Sequence, residues 1–78
     1  MKILITGGCG FIGSSLALFL REKIKNVKII SVDNLSRRGS GLNYKRLIAK
    51  KIKNFKYDIA KTNNLKKLPK FDLVIHCA

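Results

Sequence analysis

Acidic residues are scarce in this chain: four Asp and Glu stand against 17 Lys and Arg, a formal net charge of +13 over 78 residues. Such a surface repels itself and draws polyanions, nucleic acid and nucleotide phosphates alike, so charge alone does not select the ligand. Tryptophan is missing, aromatics make up 8% of the chain, and none is interleaved with the basic positions as a stacking platform. No recognition-helix pattern appears either, so the basic residues read as the solvated outer faces of helices and loops, and nucleic acid is not an expected partner. Two cysteines, Cys9 and Cys77, are too few for a disulfide framework and have no ligand set at metal spacing; both read as small packed residues. Long hydrophobic runs are also lacking. The longest uncharged stretch, Ile3 to Leu20, is broken by Gly7, Gly8, Gly10 and Gly13, which excludes a membrane span or a secretory signal and makes the cytoplasm the expected compartment.

What remains is a globular composition, 46% hydrophobic and 27% charged, at a length that holds one small core. Ile3-Leu4-Ile5, stopped by Gly7-Gly8, predicts a first strand over 2–6 buried on both faces. Ile12, Leu16, Phe19, Leu20 and Ile24 then recur at helical steps, predicting a helix that ends near Asn26 with these residues turned inward. Val27 to Val32 is β-branched and runs into Asp33-Asn34, a second strand followed by turn formers. A polar loop over 34–41 precedes a basic, weakly amphipathic helix carrying Leu42, Leu47 and Ile48. A third strand is predicted over Phe55–Ile59, a short helix from Thr62 through Leu65 and Leu68 to the stop at Pro69, and a fourth, core strand over Phe71–Ala78. A core strand with nothing after it points to a truncated chain. The β-α-β-α-β-α-β alternation argues for a parallel sheet with right-handed crossovers.

Between the first strand and the first helix lies Thr6-Gly7-Gly8-Cys9-Gly10-Phe11-Ile12-Gly13, with glycines at 7, 10 and 13. A pyrophosphate needs close backbone approach and free N–H groups at a helix N-terminus, and glycines provide both by omitting side chains. Twenty residues past Gly13, at the end of the second strand, stands Asp33, where a dinucleotide fold keeps the carboxylate that accepts the adenosine ribose hydroxyls. That carboxylate repels a 2′-phosphate, so the cofactor expected is NAD, although Arg37 and Arg38 follow closely. Gly8 to Gly13 also fits half of a mononucleotide P-loop, but Ser14-Ser15 stand where that motif needs Lys and then Ser or Thr.

Ile5 to Gly13 closely resembles the opening of the extended short-chain dehydrogenase/reductases, the NAD-dependent sugar-nucleotide epimerases and dehydratases. Asp33-Asn34-Leu35, Asp58-Ile59 and His76-Cys77-Ala78 match that family's later motifs in order, with Tyr57 where the family usually has Gly before its Asp-Ile pair. Cys9 together with Asn34 to Gly39 is similar to the CDP-paratose (CDP-tyvelose) 2-epimerase branch. The resemblance implies an α/β fold, the N-terminal part of a Rossmann-type doubly wound parallel sheet with four strands in the order 3-2-1-4. It implies cofactor contacts from Gly7, Gly10, Phe11, Ile12 and Gly13 in the loop and from Asp33, Asn34, Ser36 and Arg37 after the second strand. Asp58, on the adenine side, and Ile59 and Ala78 are implied as further cofactor contacts.

The parent activity so implied is transient hydride transfer at a sugar carbon of a nucleotide-sugar substrate, in an enzyme expected to be a homodimer. That family's catalysis uses a Tyr-x-x-x-Lys pair. Tyr57 and Lys61 have this spacing but fall too early in the fold, and Tyr44 is followed by Ile48, so no catalytic residue is assigned and the chain alone is expected to be inactive. His76 reads as a structural histidine at a strand end. A non-catalytic NAD(P)-binding sensor and a basic nucleic-acid-binding module are the alternatives.

Overall fold

The computed structural model describes residues 1–56 and 70–77. Four parallel strands form one sheet: β1 (Lys2–Thr6), β2 (Lys28–Val32), β3 (Lys53–Phe55) and β4 (Leu73–His76), in the order β3-β2-β1-β4. Helices α1 (Phe11–Lys23) and α2 (Ser40–Ala49) carry the chain from β1 to β2 and from β2 to β3. This is the strand order expected of a Rossmann-type sheet. Stepping outward twice in the same direction with crossovers of one hand puts both helices on one face. On that face Ile3, Ile5 and Ile29 pack with Ala17, Leu47 and Ile52, while Leu4, Ile30 and Val32 form a second cluster on the other, flanked by Phe55 and Phe71. The central strands are therefore apolar in both phases of the pleat, and each buried Ile or Leu contributes about 1.5–3 kcal/mol.

The inward face of α1 differs from its hydrophobic period. Gly13, Ser14 and Ala17 are the buried residues, with Leu18, Leu20 and Ile24 partly buried against the core, whereas Ile12 and Phe19 are 70% and 55% exposed. A small residue is required at the start of this face, because a Cβ on Gly13 would run into the Gly7 backbone. The helix stops at Lys23, three residues early, and Asn26 takes a left-handed φ of 61° that an Asn side chain tolerates. In α2 only Leu47 of the three periodic residues is buried; Leu42 and Ile48 face solvent.

The third strand lies earlier than its aromatic residues suggest. Pairing with β2 sets its register, Ile30 opposite Lys53 and Val32 opposite Phe55, and the polar Asn54 belongs to the ladder because its side chain bonds Ser31 Oγ at 2.7 Å. Residues 57–59 of the expected strand, and the expected helix over 62–68, lie outside the described residues. The fourth strand pairs with β1 on one side, and among the described residues its Leu73 and Val74 are nearly half exposed. It is zipped to β1 at its start, where Asp72 N–H donates to the Lys2 carbonyl and Lys2 N–H to Asp72 Oδ2, both at 2.8 Å. No helix among the described residues is long and apolar enough to cross a membrane.

Leu47→Ala, which empties a fully buried position, is expected to destabilise the fold by about 2–5 kcal/mol. Gly41→Ala, on α2 with nothing within 4 Å of the added methyl, should instead stabilise it by up to about 1 kcal/mol. Urea unfolding of the two variants beside the wild type checks both signs.

Candidate functional site

The strand order reverses at β1: β2 and β3 lie to one side, β4 to the other. In open α/β sheets the crevice beyond the carboxyl ends of the strands at such a reversal is where ligands bind. The glycine loop occupies that end of β1. Gly7, at φ 69°, turns the chain and donates its N–H to the Val32 carbonyl at 2.8 Å. Gly10 N–H returns to the Gly7 carbonyl at 3.0 Å, and the Gly10 carbonyl accepts Ser14 N–H at 2.9 Å, the first bond of α1. A Cβ on Gly13 would lie 2.9 Å from the Gly7 carbonyl carbon and collide with its oxygen, so α1 can sit this close to the loop only with glycine there.

The N-terminus of α1 has the features of an anion site. Its N-cap is Gly10, which offers no side-chain cap, and the first turn has no acid. The N–H groups of Phe11, Ile12 and Gly13 have no intrahelical acceptor, and the positive end of the helix dipole lies with them. Phe11 and Ile12 are strongly exposed, so their side chains do not cover these donors with packed core.

Asp33, at the tip of β2, faces this loop. Its Oδ2 accepts the Cys9 N–H at 3.0 Å and its Oδ1 accepts the Leu35 N–H at 2.8 Å. The second bond closes a turn that holds Leu35 at φ 61° and starts the loop toward α2. Each carboxylate oxygen keeps a further lone pair, so the group is oriented without being exhausted as an acceptor. Asn34 Oδ1 accepts the Ser36 N–H at 3.1 Å; Asn34, Ser36, Arg37 and Arg38 are all exposed beyond the strand tip. Asp58, Ile59 and Ala78, the other expected cofactor contacts, lie outside the described residues, as do Tyr57 and Lys61.

At the junction of β1 and β4, Thr6 and His76 are register partners, and Thr6 Oγ1 lies 2.7 Å from His76 Nδ1. The same hydroxyl oxygen accepts the Cys77 N–H at 3.2 Å, which leaves its own hydrogen for the imidazole. His76 is thus a partner in the strand-end network. Cys9 and Cys77 are free thiols packed with the helix-side core. Burial first, and the Asp33 charge second, push the Cys9 thiol up to about 11, against a hydrogen bond from Ser31 that lowers it.

Several residues that support the site have no motif to announce them. A Cβ on Gly8 would come within 2.6 Å of Ser31 Cβ, so the loop rests on the β2 strand through this second glycine. Ser31 in turn bonds Asn54, whose Nδ2 donates to the Asp33 carbonyl at 3.3 Å. Asn43 on α2 donates Nδ2 to the Cys9 carbonyl at 2.9 Å. The signal for Gly8 was the doubled Gly7-Gly8; the serine and the two asparagines carry none, because their partners are distant in sequence.

Residues 3–78 match the profile of the NAD dependent epimerase/dehydratase family. The chain is 45% identical over 83 aligned positions, 99% of its length, to a dTDP-D-glucose 4,6-dehydratase of Dictyostelium discoideum. It is 42% identical over 87% of its length to a CDP-paratose 2-epimerase of Salmonella typhi. It spans 19% and 20% of the lengths of these two curated relatives. Among solved structures, the UDP-glucuronic acid 4-epimerase of Bacillus cereus, in complex with UDP-glucuronic acid and NAD, superposes with a TM-score of 0.78 at 29% identity. All of this chain aligns there, with 26% of that one.

The Cys9 thiol stays protonated in the folded chain up to about pH 11, whereas its ordinary value is 9.0, so the unfolded chain ionises first. The raised folded value contributes stability that is fully present below pH 9 and is lost as pH rises through 11. Relative to Cys9→Ala, which removes the titration, the wild type should therefore lose stability progressively across this window. Paired denaturation midpoints at pH 8, 9.5 and 11 measure it.

Proposed function

The chain belongs to the NAD-dependent epimerase/dehydratase family, and on that premise we propose that residues 1–78 form the first part of the NAD-binding domain of a nucleotide-sugar epimerase or dehydratase. One observation carries this reading: the Asp33 carboxylate is bonded to the glycine loop itself, through the Cys9 N–H at 3.0 Å. Phosphate donors and ribose acceptor therefore share one rigid unit at the sheet's reversal point, as one dinucleotide needs.

The residues present fit the cofactor. The uncapped, acid-free N-terminus of α1 supplies N–H groups from Phe11, Ile12 and Gly13 to a pyrophosphate, and Gly13 keeps the helix close enough for the loop to share the contact. Asp33 accepts the ribose hydroxyls with the lone pairs its backbone bonds leave free, and its charge disfavours a 2′-phosphate. Asn34, Ser36 and Arg37 lie next along the chain as contacts on the adenosine side; Asp58, Ile59 and Ala78 complete the proposed set. When bound, NAD supplies hydride acceptance from a sugar carbon and hydride return. This chain's part is to hold the cofactor in place for that exchange. Proton transfer from the sugar hydroxyl is assigned to a Tyr-x-x-x-Lys pair later in the longer enzyme, since Tyr57 and Lys61 have that spacing but fall too early in the fold, and residues 1–78 are proposed to bind without turning over.

The relatives act on dTDP-D-glucose and CDP-paratose by their names, which supports a sugar nucleotide as the substrate of the longer enzyme. The resemblance of Cys9 and the 34–39 segment to the second of these favours the epimerase branch. A homodimer is the proposed state of that enzyme, in the cytoplasm, with neither nucleic acid nor membrane as partner.

Calorimetric titration with NAD+, NADP+ and a single-stranded RNA separates the readings. NAD+ should bind with at least tenfold preference over NADP+, and RNA should bind weakly and lose what affinity it has as salt is raised. Asp33→Asn should remove most of the preference against NADP+ while also weakening NAD+. Absence of NAD+ binding, or RNA binding that is tight at physiological salt, would overturn the proposal.

A further inference from the structure

Cys9 is held at both of its main-chain polar groups by side chains distant in sequence: Asp33 Oδ2 takes its N–H, and Asn43 Nδ2 donates to its carbonyl at 2.9 Å. The peptide joining Cys9 to Gly10 is consequently bonded at each end. Its oxygen meets Asn43 and its N–H meets the Gly7 carbonyl at 3.0 Å. Because a peptide unit is planar, these two bonds set the orientation of the plane that ends at Gly10, the N-cap of α1. Asn43 is itself oriented. Arg46, three residues on along α2, donates Nη1 to Asn43 Oδ1 at 3.1 Å, which turns the amide nitrogen toward the loop.

We propose that Asn43 is a positioning residue of the pyrophosphate site, acting through the Cys9 carbonyl. This role rests on the cofactor reading above. Drawing that carbonyl toward α2 keeps its negative end away from an anion at the helix start, and holds steady the peptide from which the Phe11, Ile12 and Gly13 N–H groups fan out. Without Asn43 only the Gly10 to Gly7 bond restrains the plane, and Gly10, lacking a Cβ, offers little resistance to its rotation. The chain of donors from Arg46 through Asn43 to Cys9 also ties the second helix to the loop of the first.

The test uses the purified intact protein and three substitutions: Asn43→Asp, the same size without a donor; Asn43→Ala, which adds no charge; and Asn43→His, whose Nδ1–H restores a donor nearby. NAD+, ADP and adenosine are titrated into each. Asn43→Asp should weaken NAD+ and ADP about tenfold and Asn43→Ala about fivefold, with adenosine changed less than twofold and Asn43→His recovering most of the loss. In the ligand-free protein, amide hydrogen exchange should quicken at Cys9 and Gly10 in Asn43→Asp and Asn43→Ala, while Ile29 and Ile30 keep their protection.

Equal losses for adenosine and NAD+, or exchange that quickens throughout β2, would reduce Asn43 to a general structural residue and overturn the proposal. So would NAD+ affinity within twofold of wild type in both Asn43→Asp and Asn43→Ala. A wild type that binds no NAD+ sinks the cofactor reading and this role together, and is distinguished by the wild-type titration alone.

Discussion

The hydrogen bond from the Cys9 N–H to the Asp33 carboxylate joins the two halves of the site. One partner belongs to the loop after β1, the other to the tip of β2, and they stand 24 positions apart in the chain, with α1 and β2 between them. A carboxylate accepting a backbone N–H is among the stronger hydrogen bonds available to a protein, because one partner is charged. Its second oxygen starts the turn at Leu35, so the same group that anchors the glycine loop also launches the chain toward α2. From α2 the chain returns through Asn43 to the other side of Cys9. Loop, strand tip and second helix therefore form one closed circuit around a single buried cysteine.

That circuit depends on tight packing beneath it. The loop lies on Ser31 through Gly8, and α1 lies on the loop through Gly13; at both contacts a methyl group would overlap atoms already there. Ser31 and Asn54 carry the contact across to β3, and Asn54 reaches back to the Asp33 carbonyl. The same closeness accounts for the unusual inner face of α1, where glycine, serine and alanine are buried and Phe19 is left outside. Burial of Cys9 beside Asp33 follows from the same geometry, and the raised thiol value is its electrostatic signature.

Much of this was legible in the amino-acid order. Ile3-Leu4-Ile5 and Ile29-Ile30 are apolar in consecutive positions, as a strand covered on both faces requires, and their alternation with helices implies the parallel pairing found. The glycine loop and Asp33 were legible because each is a local pattern at a strand end. Less legible were the faces of the helices. Hydrophobic period points Ile12 and Phe19 inward, but the helix turns Gly13, Ser14 and Ala17 to the core instead, with Gly13 set against the Gly7 backbone. The third strand starts earlier than its aromatic residues suggest: propensity favours Phe55 onward, while the ladder with β2 recruits Lys53 and Asn54, the latter through a side-chain bond to Ser31 that no local rule contains.

Local order along the chain was enough for the succession of strands and helices, the glycine loop at the first crossover and the acid at the second strand's tip, since each rests on short-range sterics or periodicity. It took the packed fold to bring the Asp33 carboxylate to the Cys9 N–H, to seat Gly8 on Ser31, and to carry Asn43 from α2 to Cys9. These are contacts between residues more than 20 positions apart. A hydrogen bond acts over about 3 Å, and which distant groups come within that distance is set by how the helices pack on the sheet.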